Sequence, residues 1–203
     1  SVSDVVESKE SFWANPLFKS SSAWSITLMF GLLNMIHYAS ATWLPTILLT
    51  KGFTLVNAGI LVAVATLVGS LLSLAVPHFA SKRKDFRLVL IVFSIFLAIS
   101  YFAISVDTGM SLWVWVILGN IGVYVTFSIA LFLVVFRAAD AAKTKSLSIM
   151  MQSVGYVMAT ISPIVLGRLF DITGNWDRAL YFIIGLAALQ VFVAMKAGSN
   201  EKV

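Results

Sequence analysis

Six long apolar runs, joined by short polar loops, constrain this chain more than any other feature. They lie at 24–49, 55–80, 88–106, 111–136, 146–170 and 179–195. Each has about the 17–25 residues that a helix needs to cross a bilayer, or slightly more if tilted. Barrel strands are excluded, because those would be segments of about ten residues alternating apolar and polar. Composition points the same way. The chain is 60% hydrophobic and 11% charged, with a mean hydropathy of +0.96. A soluble domain is about 25% charged, and one this apolar would have nowhere to put its hydrophobic surface. The predicted class is all-α: a polytopic membrane protein with six transmembrane helices. There is no cysteine, so neither a disulfide framework nor a thiolate metal site is available.

The net charge of +5 is a signal of topology rather than of nucleic-acid binding. Of the 14 Lys and Arg residues, only Lys51, Arg168 and Arg178 fall on one side of the six runs. The rest fall on the other, including Lys82, Arg83, Lys84 and Arg87 of the second loop. The positive-inside rule puts that basic side in the cytoplasm, with both termini. Trp24 then lies at the inner edge, and Trp43, Trp113, Trp115 and Trp176 at the outer edge, as interfacial aromatics do. Residues 1–22 read as a cytoplasmic linker, 23–197 as the helix bundle and 198–203 as a cytoplasmic tail. Phe12, Trp13 and Phe18 read either as inner-interface anchors or as ordinary linker aromatics. The polar start without Met leads us to expect a segment of a longer protein, a processed product or a trimmed chain.

The first run carries polar residues near its middle. Asn34, His37, Tyr38 and Ala41 follow the i, i+3, i+4, i+7 spacing of one helical face. Lipid penalises such a face, so it is expected to look into protein or water. His37 is the ionisable side chain deep in a span. Its ordinary pKa of about 6.5 suits proton exchange. The bland alternative is a structural histidine bonded across helices.

A shift of 86 positions brings unusual residues together without a gap: Asn34 with Asn120, Tyr38 with Tyr124, Gly69 with Gly155, Pro77 with Pro163, Lys82 with Arg168, and Asp85 with Asp171. His37 meets Val123 and has no such counterpart. Three helices separate the copies, so the second enters the membrane from the opposite side. This is a 3+3 inverted repeat, a building unit of many secondary transporters.

The stretch from Gly69 to Arg87 is similar to the loop motif of the major facilitator superfamily, without its usual glycines around the basic residues. The stretch Ser148…Gln152-Ser153-Val154-Gly155-Tyr156…Ser162-Pro163…Gly167-Arg168…Asp171…Gly174…Trp176 resembles the cyanate and nitroimidazole transporter family within it. So does Tyr38…Trp43-Leu44-Pro45 followed by Lys51-Gly52-Phe53. The resemblance covers nearly the whole chain after Asn15. It implies the C-terminal six helices of a twelve-helix fold, with an N-terminal six-helix half as partner, in a bacterial plasma membrane. It also implies that the first, second, fourth and fifth helices face a central path, which makes Thr66 and Ser70 weaker lining candidates.

Asn34, His37 and Tyr38, with Asn120 and Tyr124 on the fourth helix and Gln152 and Tyr156 on the fifth, are the expected substrate-lining residues. They offer amides, hydroxyls and aromatic faces with little fixed charge. Such a lining suits a small, flat, polar or singly anionic solute. The alternative for each is interhelical bonding that holds the bundle together. Lys82, Asp85 and Arg87 are candidates for an inner charge latch, with Arg168 and Asp171 as its outer counterpart. Plain topology determinants and lipid-phosphate contacts are the competing reading of the basic loop. No catalytic constellation is present: there is no HExxH, GxGxxG, Walker loop or GxSG nucleophile element. No enzyme activity, metal or cofactor is expected. The expected function is secondary transport of a small cyanate-like or nitroimidazole-like solute by alternating access. The alternatives are a non-transporting sensor or scaffold of the same fold, and a stand-alone six-helix homodimer.

Overall fold

The computed structural model describes residues 16–201. Phe12, Trp13 and most of the expected linker lie outside these, as do the last two residues of the tail. A 3-10 turn, Pro16–Lys19, leads into six helices: α1 (Ser21–Thr50), α2 (Leu55–Ala80), α3 (Arg87–Val106), α4 (Leu112–Arg137), α5 (Ala141–Thr173) and α6 (Asp177–Ala197). The helices of the sequence reading are all present. Their starts follow local capping chemistry. Ser20, Thr54 and Asp140 accept the backbone N–H of Ala23, Asn57 and Lys143 at 3.2, 3.2 and 2.8 Å, each satisfying a donor that the first helical turn leaves open. Asp140 explains why α5 begins earlier than its apolar run. At 33 residues α5 is about 50 Å long, so it projects beyond a hydrocarbon core of about 30 Å.

Five helices, α2 to α6, are long and apolar enough to cross a membrane. The sequence reading expected six such spans. α1 is as long but less apolar, because Asn34, His37, Tyr38 and several Ser and Thr residues lie in it. Its ends nevertheless sit with those of the other helices. At one end Lys196 Nζ on α6 donates to Ser21 Oγ. At the other, Lys51 Nζ donates to the carbonyls of Ser105 and Asp107, at 3.2 and 2.9 Å.

The bundle is built as an inverted repeat. α1 packs chiefly on α5, α2 on α4, α3 on α6 and α4, and α6 on α1. Exchanging α1, α2 and α3 for α4, α5 and α6 turns the first pair into the second and α3–α4 into α6–α1. It leaves α3–α6 unchanged. The glycines that the repeat matches sit at the two main crossings. A Cβ on Gly69 would lie 2.9 Å from the Asn120 carbonyl oxygen and 2.8 Å from the Tyr124 ring. A Cβ on Gly155 would meet the Phe30 ring, with the Cα of Gly31 3.6 Å away. Lipid is as apolar as leucine, so helices in it associate through close packing and interhelical hydrogen bonds. Both operate here. Ser162 Oγ donates to Met35 O at 2.7 Å and Trp43 Nε1 to Pro163 O at 2.9 Å, joining α1 and α5. Ser128 Oγ donates to Ser73 O at 3.2 Å, joining α4 and α2.

The basic end is closed by Arg137, which the sequence reading counted only as a topology charge. Its side chain is buried. It donates to Glu201 O at 2.6 Å and Ala197 O at 3.2 Å. Phe86 N donates to Gly198 O at 2.9 Å. The α2–α3 loop, the end of α4 and the end of α6 are thereby held together. The opposite end is aromatic. Trp176 stacks on Phe170 at 4.3 Å and meets Trp43 at 5.1 Å. In the loop between α3 and α4, the Asp107 carboxyl is held below the usual carboxylate range. The Ser111 hydroxyl is the first cause, followed by the Thr108 N–H, the Trp115 indole and the Lys51 charge, against some desolvation.

The repeat glycines give a direct test. In thermal unfolding of the detergent-purified protein, Gly69→Ala is expected to destabilise by about 1–3 kcal/mol, the usual cost of overpacking. Its Cβ meets backbone that has no room to move. Gly59→Ala, on the same helix with nothing within 4 Å of the new Cβ, is expected to be neutral or stabilising.

Candidate functional site

The polar face of α1 opens into a hollow of about 130 Å³. Its wall is made by Asn34, His37 and Tyr38 of α1, Val123, Tyr124 and Phe127 of α4, and Tyr156 of α5. The i, i+3, i+4 spacing of the α1 residues places all three on one side. Tyr124 and Phe127, three apart on α4, face them. The repeat explains the registry. His37 with Val123 and Tyr38 with Tyr124 are equivalent pairs, and all four line the same hollow where α1 meets α4.

The ring system is contiguous. The His37 imidazole meets Tyr38 edge-on at 5.4 Å and Tyr124 at 5.8 Å. Tyr38 meets Tyr156 at 6.4 Å. Phe30 backs the site, 5.5 Å from Phe127 and 5.8 Å from Tyr156. Beyond Tyr38 and Tyr156 the space continues into a second hollow of about 240 Å³, which Ala159, Thr160 and Pro163 also line. These two tyrosines stand between the hollows and are both about two-fifths exposed.

The polar atoms here are largely uncommitted. Asn34 Nδ2 donates to Phe30 O at 2.8 Å, which leaves its carbonyl oxygen without a protein partner. Among the described residues, the imidazole of His37 and the hydroxyls of Tyr38, Tyr124 and Tyr156 make no hydrogen bond. The structural reading of His37, a histidine bonded across helices, has no bond to support it here. In the core, some polar groups are paired and others, such as Thr27, Thr126 and Gln190, are not, among the described residues. Tyr101 there bonds Ser40, and Ser94 bonds Leu90 O at 2.7 Å. A wall of free donors and acceptors on aromatic faces offers a solute hydrogen bonds that it would otherwise make with water.

Two expected lining residues lie elsewhere. Asn120 is one turn from Tyr124, but its Nδ2 donates to Val116 O at 3.0 Å and its backbone carbonyl packs under Gly69. Gln152 is exposed, one turn before Tyr156, and does not border the hollow. Ser70 on α2 donates to Leu67 O at 3.0 Å, and neither it nor Thr66 lines the site. Val123 and Phe127 were missed because they are apolar. The helical spacing around Tyr124 is the signal that would have found them.

The charged candidates divide by end. Asp85 Oδ1 accepts the Arg87 N–H at 2.8 Å, and Asp85 Oδ2 lies 3.7 Å from Arg87 Nε, with both side chains about half exposed. Lys82 Nζ lies 3.3 Å from His78 Nε2 instead. Arg168 and Asp171 are exposed on α5 and form no ion pair with each other. Lys82 and Asp85 lie in a loop, whereas Arg168 and Asp171 are helical. α2 stops before a run of like charges. The matching stretch of α5 runs on through Leu169 and Phe170 until Gly174, at φ +70°, ends it, as the left-handed position favours glycine.

A six-helix membrane bundle with an inverted repeat and a polar hollow open on one flank is an architecture that transporter halves use. Comparison with known proteins gives the family. Residues 3–163 match the Major Facilitator Superfamily, and the chain belongs to it. It is 28% identical to the 2-nitroimidazole transporter of Escherichia coli (strain K12), over 94% of this chain and 47% of that protein. It is 30% identical to an uncharacterized transporter of Bacillus subtilis (strain 168), over 93% of this chain and 46% of that protein. The cyanate transport protein of Escherichia coli (strain K12) is 28% identical over 81% of this chain and 44% of its own length. The chain thus spans about half the length of the curated relatives it matches.

A stability comparison tests whether His37 is structural. His37→Phe keeps the edge contacts to Tyr38 and Tyr124. It is expected to leave thermal stability within about 0.5 kcal/mol of the parent. A hydrogen-bonded structural histidine would instead cost about 1–3 kcal/mol.

Proposed function

We propose that this chain is the C-terminal six-helix half of a secondary transporter, and that the hollow at His37 is its contribution to the solute site. The observation that carries this reading is the set of unpaired polar atoms, on Asn34, His37, Tyr38, Tyr124 and Tyr156, gathered in one small aromatic space. The substrate class is a small, flat, polar or singly anionic solute. Ring faces sandwich such a solute, while the imidazole, amide and phenol groups orient it through hydrogen bonds. Little fixed charge lines the hollow, which disfavours multiply charged ions. The relatives named for 2-nitroimidazole and cyanate support this class.

The remaining wall comes from an N-terminal half, and the two halves rock about the site to expose it to each side in turn. The basic end, with both termini of this chain, faces the cytoplasm. Asp85 and Arg87 form an inner latch that holds one access state. Arg168 and Asp171 pair only in the other. Lys82 and the rest of the basic loop fix orientation.

Ligand-induced stabilisation tests the proposal with 2-nitroimidazole and cyanate as probes. A ligand at 100 times its Kd is expected to stabilise the purified protein by about 2.7 kcal/mol. His37→Gln is expected to weaken binding by about tenfold, equivalent to about 1.4 kcal/mol, and Val123→Phe, which fills the hollow, to abolish it. Unchanged affinity in both variants would remove the site from the path. A folded protein that answers to neither probe, and moves neither into liposomes, would favour a sensor or scaffold of the same fold.

A further inference from the structure

A separate hollow lies at the basic end, away from His37. α2 and α3 are consecutive, yet each packs mainly on α4 or beyond it rather than on the other. The wedge left between them encloses about 270 Å³. Its walls are apolar, with Leu72, Val76 and Phe79 from α2, Phe93 from α3, and Ile121 and Val125 from α4. Leu72 and Phe79 are also exposed on the flank of the bundle. One charged side chain, Arg83, borders this apolar space. It comes from the loop that follows α2, and Lys82 and Lys84 flank it. The loop's single acid, Asp85, is engaged by Arg87. The side chains of Arg83 and Lys84 make no ion pair or hydrogen bond among the described residues.

An apolar slot with a free guanidinium at its mouth has the polarity of a phospholipid: hydrocarbon below, anion above. We propose that this wedge binds one anionic phospholipid of the leaflet at the basic end. An acyl chain fills the space between Val76, Phe93 and Val125, and the phosphate pairs with Arg83. Guanidinium suits that partner because its planar fork donates two parallel hydrogen bonds to phosphate oxygens. Basic residues near an anionic membrane surface each favour binding by a modest electrostatic increment. Here the slot adds a fixed place for the chain, which a plain topology charge does not need.

Native mass spectrometry of the purified protein, titrated with dioleoyl phosphatidylglycerol or dioleoyl phosphatidylcholine, tests this. The first lipid is expected to bind about fivefold more tightly, the effect of one basic residue at the surface. Arg83→Gln, in an exposed loop, is expected to erase that preference, while Arg178→Gln at the opposite end leaves it intact. Val76→Trp, which fills the wedge, is expected to weaken both lipids. Equal effects of Arg83→Gln and Arg178→Gln would overturn the proposal. A photo-crosslinking residue at position 76 provides a second measurement. Adducts to lipid support the site, and adducts to polypeptide would show that protein covers the wedge instead.

Discussion

Where α2 crosses α4, Gly69 lies so close to the carbonyl of Asn120 that a Cβ would meet it at 2.9 Å. Where α1 crosses α5, Gly31 and Gly155 face one another. In lipid no hydrophobic force drives helix against helix, so contact must be won by close approach and by hydrogen bonds. These crossings supply that approach. The serine and tryptophan bonds to Met35, Ser73 and Pro163 then lock the same helix pairs. The hollow depends on this arrangement. It forms where α1, α4 and α5 meet, and a larger residue at either crossing would push its walls apart.

Two sets of polar groups stand out in the bundle. Those that hold helices together spend their hydrogen bonds inside the protein, as Ser162, Ser128 and Arg137 do. Those around His37 keep theirs free. An unpaired polar atom in a membrane interior is costly unless water or a ligand reaches it. Thr27, Thr126 and Gln190 also hold buried polar atoms without a hydrogen-bond partner among the described residues, but around His37 several free groups border one hollow, where the aromatic rings hold them at fixed spacing. It is the gathering of free groups around one hollow, not the presence of a free group, that marks the candidate site, and composition alone does not reveal it.

Much of this was legible in the chain itself. Helix number and type followed from the apolar runs, and the inverted repeat from rare residues recurring at one spacing. The face of Asn34, His37 and Tyr38 followed from helical periodicity. What the sequence hid was rotation and crossing. Asn120 and Gln152 sit one turn from the tyrosines of the hollow, yet Asn120 bonds Val116 O and packs under Gly69, and Gln152 is exposed away from it. The repeat match at Arg168 and Asp171 suggested a second loop, but Leu169 and Phe170 keep α5 helical there and Phe170 stacks on Trp176. Arg137 read as a surface charge because nothing local shows that the carbonyls of α6 and the tail, 60 and 64 positions away, converge on it.

The two ends of the bundle are tied by different means, and this bears on how the bundle can deform. At the basic end, Arg137 and the Phe86–Gly198 bond join three separate segments. At the other, stacked aromatics and the Lys51 contacts join α1 to α3, α5 and α6. A bundle closed at both ends resists internal bending, because opening one end breaks several bonds at once. Yet the wall that carries Tyr38 and Tyr156 remains exposed on its flank. The whole-bundle motion proposed above would cost none of the internal bonds and would change only what covers that flank. On the proposed function, a rigid bundle with one open polar wall suits alternating access by rocking, and His37, which the repeat leaves unmatched, sits on that wall.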